Sequence, residues 1–122
     1  MKLTNNILYS LVDLAKKSNV RRSKMAAAIL DSRGNVVCMA NNVVVMGHPN
    51  KWTLHAEEMA IAKAVRKRVL PNKLDLIVIR YKPSTDKLSL AKPCINCQRL
   101  IEEAGLNTYF TDENGDIEKW KS

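Results

Sequence analysis

Residues Leu74 to Ile79 form an almost unbroken apolar run, the pattern of a strand covered on both faces. Pro93 to Ala104 then reads as a helix, with proline in the first turn and Gly105 at the stop. Asn107 to Thr111 reads as a second strand. A strand–helix–strand unit crosses right-handed and lays its two strands parallel. A parallel pair needs helices on its faces, so this stretch commits the chain to a layered helix-and-sheet architecture.

The remaining segments fit around that unit. Ile7, Leu8, Leu11, Val12 and Ala15 repeat at helical spacing, so Leu3 to Lys17 is expected to be a helix, with Lys16 and Lys17 suited to its C-terminal dipole. Met25 to Leu30 and Asn35 to Ala40 flank the turn residues Asp31-Ser32-Arg33-Gly34, the signature of an antiparallel hairpin. Thr53 to Arg68 is expected to be a second helix, capped by Thr53 and apolar on more than one side. Asp112 to Gly115 reads as a turn, and Asp116 to Trp120 as a last short strand. The predicted order is helix, hairpin, helix, strand, helix, strand, strand. It implies a mixed sheet with helices on both faces, in one domain over residues 1–122. The longest connector is Lys82 to Lys92, too short to separate domains.

Composition narrows the function. Hydrophobic residues make up 46% and charged residues 26%, which excludes a disordered or collagen-like chain. No apolar run reaches the length of a membrane span, and the N-terminus turns polar within a few residues, so a secretory signal is not expected. Three cysteines, an odd number, argue against a disulfide framework. Together these features predict a cytoplasmic protein in a reducing compartment. The net charge of +8 attracts phosphate, either as free nucleotide or as nucleic acid, although solubility alone also explains such a charge.

The reactive residues cluster at two predicted helix starts. Pro93-Cys94-Ile95-Asn96-Cys97 opens the third helix, and His55-Ala56-Glu57 lies in the first turn of the second. Cys94 and Cys97, at i and i+3, reach one metal from one helical face. A helix N-terminus also lowers a thiol pKa towards the thiolate that binds zinc. His55 adds a nitrogen ligand, and one His with two Cys is a catalytic zinc set that keeps a fourth position open. Glu57 is not a ligand, and in the first turn it can converge on the metal and act as proton carrier.

His-x-Glu followed by Pro-Cys-x-x-Cys is the pattern of the zinc nucleobase deaminases. The chain therefore resembles the cytidine and deoxycytidylate deaminase superfamily, from about Met25 to Lys119. The resemblance implies a three-layer helix–sheet–helix fold whose five strands lie in the order 2-1-3-4-5. It implies zinc held by His55, Cys94 and Cys97, with Glu57 as proton shuttle. It further implies hydrolytic loss of the exocyclic amine from cytosine in a nucleoside or nucleotide, and a homo-oligomer. The asparagine after the second strand, which contacts the sugar in the family, corresponds to Asn41, with Asn42 as the alternative. The backbone amide of Ala56 is the expected contact to the base.

The chain departs from any one branch of that family. His55 stands where nucleoside deaminases usually carry cysteine, and histidine is typical of the deoxycytidylate and polynucleotide branches. The end of the chain, a tight hairpin from Asn107 to Trp120, resembles the nucleoside branch. Met39-Ala40 replaces the glycine that often precedes the sugar-binding asparagine.

Other readings stay open at this level. One alternative keeps the chemistry and changes the substrate to a base in single-stranded DNA or RNA, which the charge of +8 favours. A zinc-stabilised nucleic-acid-binding module without activity needs a fourth protein ligand, for which Cys38 and His48 are the candidates. A redox Cys-x-x-Cys leaves His55 and Glu57 without a role. Cys38 otherwise reads as a small buried hydrophobe, and His48 as a surface loop residue. Trp52 suits either a base stack or a staple at the helix start. Arg66, Lys67 and Arg68 suit a helix C-terminus. Two basic groups, Arg21, Arg22 and Lys24, and Arg80, Lys82, Lys87 and Lys92, are candidates for phosphate contact.

Overall fold

The computed structural model describes residues 3–46, 51–68 and 74–120. Helix α1 (Asn5–Lys16) is followed by the hairpin β1 (Lys24–Leu30) and β2 (Val36–Asn41). A second, two-stranded sheet of β3 (Val43–Met46) and β4 (Lys51–Leu54) leads into α2 (Ala56–Arg66). Then come β5 (Asp75–Lys82), β6 (Lys87–Ser89), α3 (Ile95–Ala104), β7 (Asn107–Thr111) and β8 (Ile117–Lys119). The main sheet runs β2-β1-β5-β7-β8, with β6 paired to the end of β5. Without the short strands β3, β4 and β6, this is the expected order. β5 and β7 are parallel and the other pairs antiparallel, as the crossover rule requires.

Strand alternation builds two cores. On β1, Ala27 and Ile29 face one way, with Leu76 and Val78 of β5 and Ala56, Ala60 and Ala64 of α2. Ala26, Ala28 and Leu30 face the other way, with Ile77 and Ile79 of β5 and Leu11 and Ala15 of α1. Ile101 of α3 joins the first core, so α2 and α3 cover one face and α1 the other. Every one of these residues is fully or almost fully buried. Alanines on both β1 and α2 let that helix sit close to the sheet. β2 is an edge strand, and α2 covers part of its edge. Lys63 Nζ donates to the Met39 carbonyl at 2.8 Å and Lys67 Nζ to the Val37 carbonyl at 2.9 Å.

The two hairpins use one turn chemistry. In the first, Asp31 Oδ1 accepts from the backbone N–H groups of Arg33 and Asn35, each at 2.9 Å. In the second, Asp112 Oδ1 accepts from those of Asn114 at 2.8 Å and Asp116 at 2.9 Å. The fourth residue of each turn is a glycine in the left-handed region, Gly34 at φ 85° and Gly115 at φ 84°.

Several boundaries differ from the sequence expectation, and three of them lie next to the site residues or the connector that leads to them. Thr53 is not a helix cap, because β4 pairs it with Val44, and α2 begins at Ala56 with His55 as N-cap. The connector Lys82 to Lys92 is not irregular throughout, since β6 continues the sheet. The third helix starts two residues after Pro93, capped by Cys94. No helix among the described residues is long and apolar enough to cross a membrane. His48 lies outside the described residues, as does the side chain of Trp52.

Candidate metal centre and substrate pocket

Two helix starts meet on the α2–α3 face of the sheet. His55, the N-cap of α2, has extended backbone at φ −78° and ψ 149°, so its ring projects beyond the helix end. Its backbone N–H donates to Glu58 Oε1 at 2.6 Å, which closes the first turn. Cys94, the N-cap of α3, is extended at φ −69° and ψ 168°, and Cys97 stands three residues on, inside the first turn. His55 Nδ1 lies 3.3 Å from Cys97 Sγ and 3.4 Å from Cys94 Sγ. All three donor atoms fall within 4.8 Å of one another.

These separations suit tetrahedral zinc. Bonds of about 2.3 Å to sulfur and about 2.0–2.1 Å to nitrogen place neighbouring ligands roughly 3.5–3.8 Å apart. The convergence has a different origin from the expected one. Both His55 and Cys94 are caps, freed from helical geometry, rather than residues of a helical face.

Cys38 does not join the group. It is buried on β2, where its Sγ donates to the Ala60 carbonyl at 3.1 Å. Among the described residues the cluster therefore has three protein donors, which leaves a fourth position for water or substrate.

Glu57 is 2% exposed, and its Oε1 has no hydrogen-bond partner among the described residues. Burial pushes its carboxyl above the usual carboxylate range, opposed by its own backbone N–H and by the adjacent His55. A buried, unpaired carboxylate oxygen beside a cation site is a costly arrangement unless something charged or protonated is there to meet it. Cys97 also departs from expectation. Burial, and next the Glu57 carboxylate, hold its thiol well above the ordinary range, against the lowering expected at a helix N-terminus. In the metal-free protein Cys97 keeps its proton, and a bound cation has to displace it.

A cavity of about 300 Å³ adjoins the cluster, lined by Val20, Ser23, Met25, Asn42, Thr53 and His55. Its size is at the lower end for small-molecule pockets. A larger cavity, about 530 Å³, lies at the β8 end of the sheet by Phe110 and Trp120, and carries none of the metal-ligating side chains.

Asn41 is not in the pocket wall. It pairs with Ala26 on the α1 side of the sheet, and its Nδ2 donates to the Leu14 carbonyl of α1 at 3.0 Å. Asn42, just past the strand, is the residue that faces the pocket. Its Oδ1 accepts from Ser18 Oγ at 2.7 Å and from the Met25 N–H at 2.9 Å, and its Nδ2 donates to the Ser23 carbonyl at 2.6 Å. Ala56 is fully buried at the first position of α2, where its N–H is one of the four that a helix leaves without an internal partner.

The basic residues sort differently from their order in sequence. Arg80 and Lys82 meet Arg21 and Arg22 around one cavity. Lys24 donates to the Ser18 carbonyl, Lys87 stands on β6, and Lys92 lines the cavity at the β8 end. Sequence reading missed the pocket residues Val20, Ser23, Met25 and Thr53, and the β3–β4 hairpin that places Thr53. The signal for that hairpin was present: a valine run from Val43 to Val45 precedes the turn-type residues Gly47, Pro49 and Asn50.

Residues 1–112 match the family described as the cytidine and deoxycytidylate deaminase zinc-binding region. No curated protein matches the chain. Among solved structures, cytidine deaminase from Burkholderia pseudomallei superimposes with a TM-score of 0.68 at 21% identity, over 98% of this chain and 93% of that one. The dCMP deaminase of cyanophage S-TIM5 in its apo form gives 0.66 at 20% identity, over 91% of this chain and 86% of that one. The same phage enzyme in complex with dCMP and dUMP gives 0.60 at 17% identity, over 92% and 85%. The fold is thus that of the deaminases.

Proposed function

The chain belongs to the cytidine and deoxycytidylate deaminase family, and on that premise we propose that it removes the exocyclic amine of cytosine by hydrolysis, in a nucleoside or nucleotide. The observation that carries the reading is the meeting of His55, Cys94 and Cys97 beside the buried, unpartnered Glu57 Oε1.

His55, Cys94 and Cys97 would hold zinc. Bound there, zinc supplies the Lewis acidity that makes a water nucleophilic near neutral pH. The protein's own groups do the rest. Glu57 Oε1 accepts the proton of the attacking water, passes it to the ring nitrogen next to the reacting carbon, and carries a second proton to the departing amine. Its raised pKa, a result of burial, suits a group that must both take and give a proton. To the Ala56 N–H, which the helix start leaves without an internal partner, we assign the contact to the base. Asn42, rather than Asn41, is the residue we assign to the sugar, because its Nδ2 keeps a second hydrogen beyond the bond to Ser23. The same reading carries a homo-oligomeric, cytoplasmic enzyme.

The test is a panel of cytidine, deoxycytidine, their monophosphates, and cytosine-containing DNA and RNA oligonucleotides, offered to the zinc-loaded protein. Mass spectrometry reads the gain of about one dalton on exchange of amine for carbonyl. We expect conversion of a monomer, and loss of at least about 100-fold in rate in Glu57→Ala. Full activity in Glu57→Ala with zinc retained would overturn the mechanism. Conversion of oligonucleotides alone would replace it with the polynucleotide reading.

A further inference from the structure

Arg21, Arg22, Arg80 and Lys82, with Pro83 and Ser84, enclose a cavity of about 420 Å³. The two basic pairs are distant in sequence, and the β1–β5 ladder brings them together by setting Met25 opposite Arg80. Both residues lie on the α2–α3 face, since the next residues on that face, Ala27 and Val78, belong to its core. Met25 also lines the pocket that contains His55 and Asn42. The segment before β1 walls both cavities: Val20 and Ser23 line the pocket, and Arg21 and Arg22 line the basic cavity. Met25 of the pocket and Arg80 of the basic cavity are thus cross-strand partners, on strands about 4.8 Å apart.

The cavity has an unmet demand. Arg80 Nε is buried with no partner among the described residues. A desolvated guanidinium N–H without an acceptor is unfavourable, and the acceptor that best matches a set of guanidinium forks is an oxyanion such as phosphate.

We propose that this cavity is a phosphate site, and that the substrate is a nucleoside monophosphate rather than a free nucleoside. The identity of the base rests on the deaminase reading above, and the phosphate site does not. A mononucleotide suits the pair of cavities because one sugar joins its phosphate to its base, and the Met25–Arg80 pair and the segment before β1 join the two cavities.

The experiment is calorimetric titration of the zinc-loaded full chain with inorganic phosphate, cytidine, deoxycytidine, CMP, dCMP and a cytosine-containing oligonucleotide. Ionic strength is held constant with potassium chloride, so that screening is equal throughout. One nucleotide is expected to bind at least about tenfold more tightly than its nucleoside, the order of one charge-assisted hydrogen bond. Inorganic phosphate is expected to bind and to compete with it. Arg80→Ala is expected to bring the nucleotide-to-nucleoside ratio close to one. Should that variant fold poorly by circular dichroism, the Arg21→Ala/Arg22→Ala double variant, on the exposed segment before β1, gives the same readout. Equal affinity for nucleotide and nucleoside, or a ratio that neither variant alters, overturns the phosphate site. Tight binding of the oligonucleotide alone overturns the mononucleotide assignment. A nucleotide that binds through these arginines without being converted leaves the phosphate site standing and removes the deaminase reading instead.

Discussion

Asn41 and Asn42 are consecutive, yet they serve opposite faces of the sheet. Asn41 donates to the Leu14 carbonyl of α1, while Asn42 ties Ser18, Ser23 and Met25 together beside the pocket. Their substitutions should therefore differ in kind. Asn42→Ala removes three side-chain hydrogen bonds and leaves the Met25 N–H and the Ser23 carbonyl without that partner, while the Ser18 hydroxyl keeps the backbone carbonyl of residue 42, a loss of about 2–4 kcal/mol. Asn41→Ala removes one bond and should cost about 0.5–1.5 kcal/mol. Urea unfolding checks the stabilities. Steady-state kinetics should show the larger rise in KM for Asn42→Ala, and a larger rise for Asn41→Ala would return the sugar contact to that residue.

Zinc binding should release protons. Burial and Glu57 keep the Cys97 thiol protonated in the metal-free protein, so at least about one proton per zinc should appear in solution near neutral pH. A pH indicator in weak buffer reads this directly. Cys97→Ser and His55→Ala should lose stoichiometric zinc by metal analysis. Chelation should also lower stability, by about 2.7 kcal/mol where free zinc had stood at 100 times Kd.

The buried Glu57 gives the metal-free protein a particular pH dependence. Its folded pKa is raised, so the folded state binds its proton more tightly than the unfolded chain does. The stability it contributes is fully present below the ordinary glutamate value of about 4.3, and is lost as pH rises through the raised folded value. Glu57→Gln, neutral at every pH, should remove this loss. Urea unfolding of both metal-free proteins from acid to neutral pH measures the difference, which should grow in the variant's favour as pH rises. A difference that stays constant with pH would show that the carboxyl is not buried in the way described.

The two matching turns provide a test of local geometry. Gly34 and Gly115 have nearly equal positive φ, so alanine strains both. Only at Gly115 does an added Cβ also meet neighbours, 3.1 Å from Leu88 Cβ and 3.2 Å from the Leu88 carbonyl oxygen of β6. Gly34→Ala should cost about 1 kcal/mol and Gly115→Ala clearly more. Thermal unfolding ranks them, and equal losses would mean that β6 yields without resistance.

The sequence by itself determined the elements whose signals are local. The apolar period of α1, the turn Asp31 to Gly34, the continuous run of β5, and Gly105 as the stop of α3 each act over a few residues, where side-chain spacing and backbone preference suffice. The strand–helix–strand unit then fixed the parallel pair through chain handedness. The chemistry of His55, Glu57, Cys94 and Cys97 was also legible, since their types and spacing limit what they can do together. Tertiary structure decided what depends on partners distant in the chain. Pairing with Val44 draws Thr53 into a strand, so the cap of α2 moves to His55. Burial, which no local pattern reports, reverses the expected acidity of Cys97 and raises the pKa of the Glu57 carboxyl above its usual range. Strand alternation turns Asn41 away from the pocket, and the β1–β5 ladder carries Arg80 to Arg21 and Arg22. In each case the deciding energy is a hydrogen bond, a desolvation or a charge contact between residues that only the folded chain brings within reach.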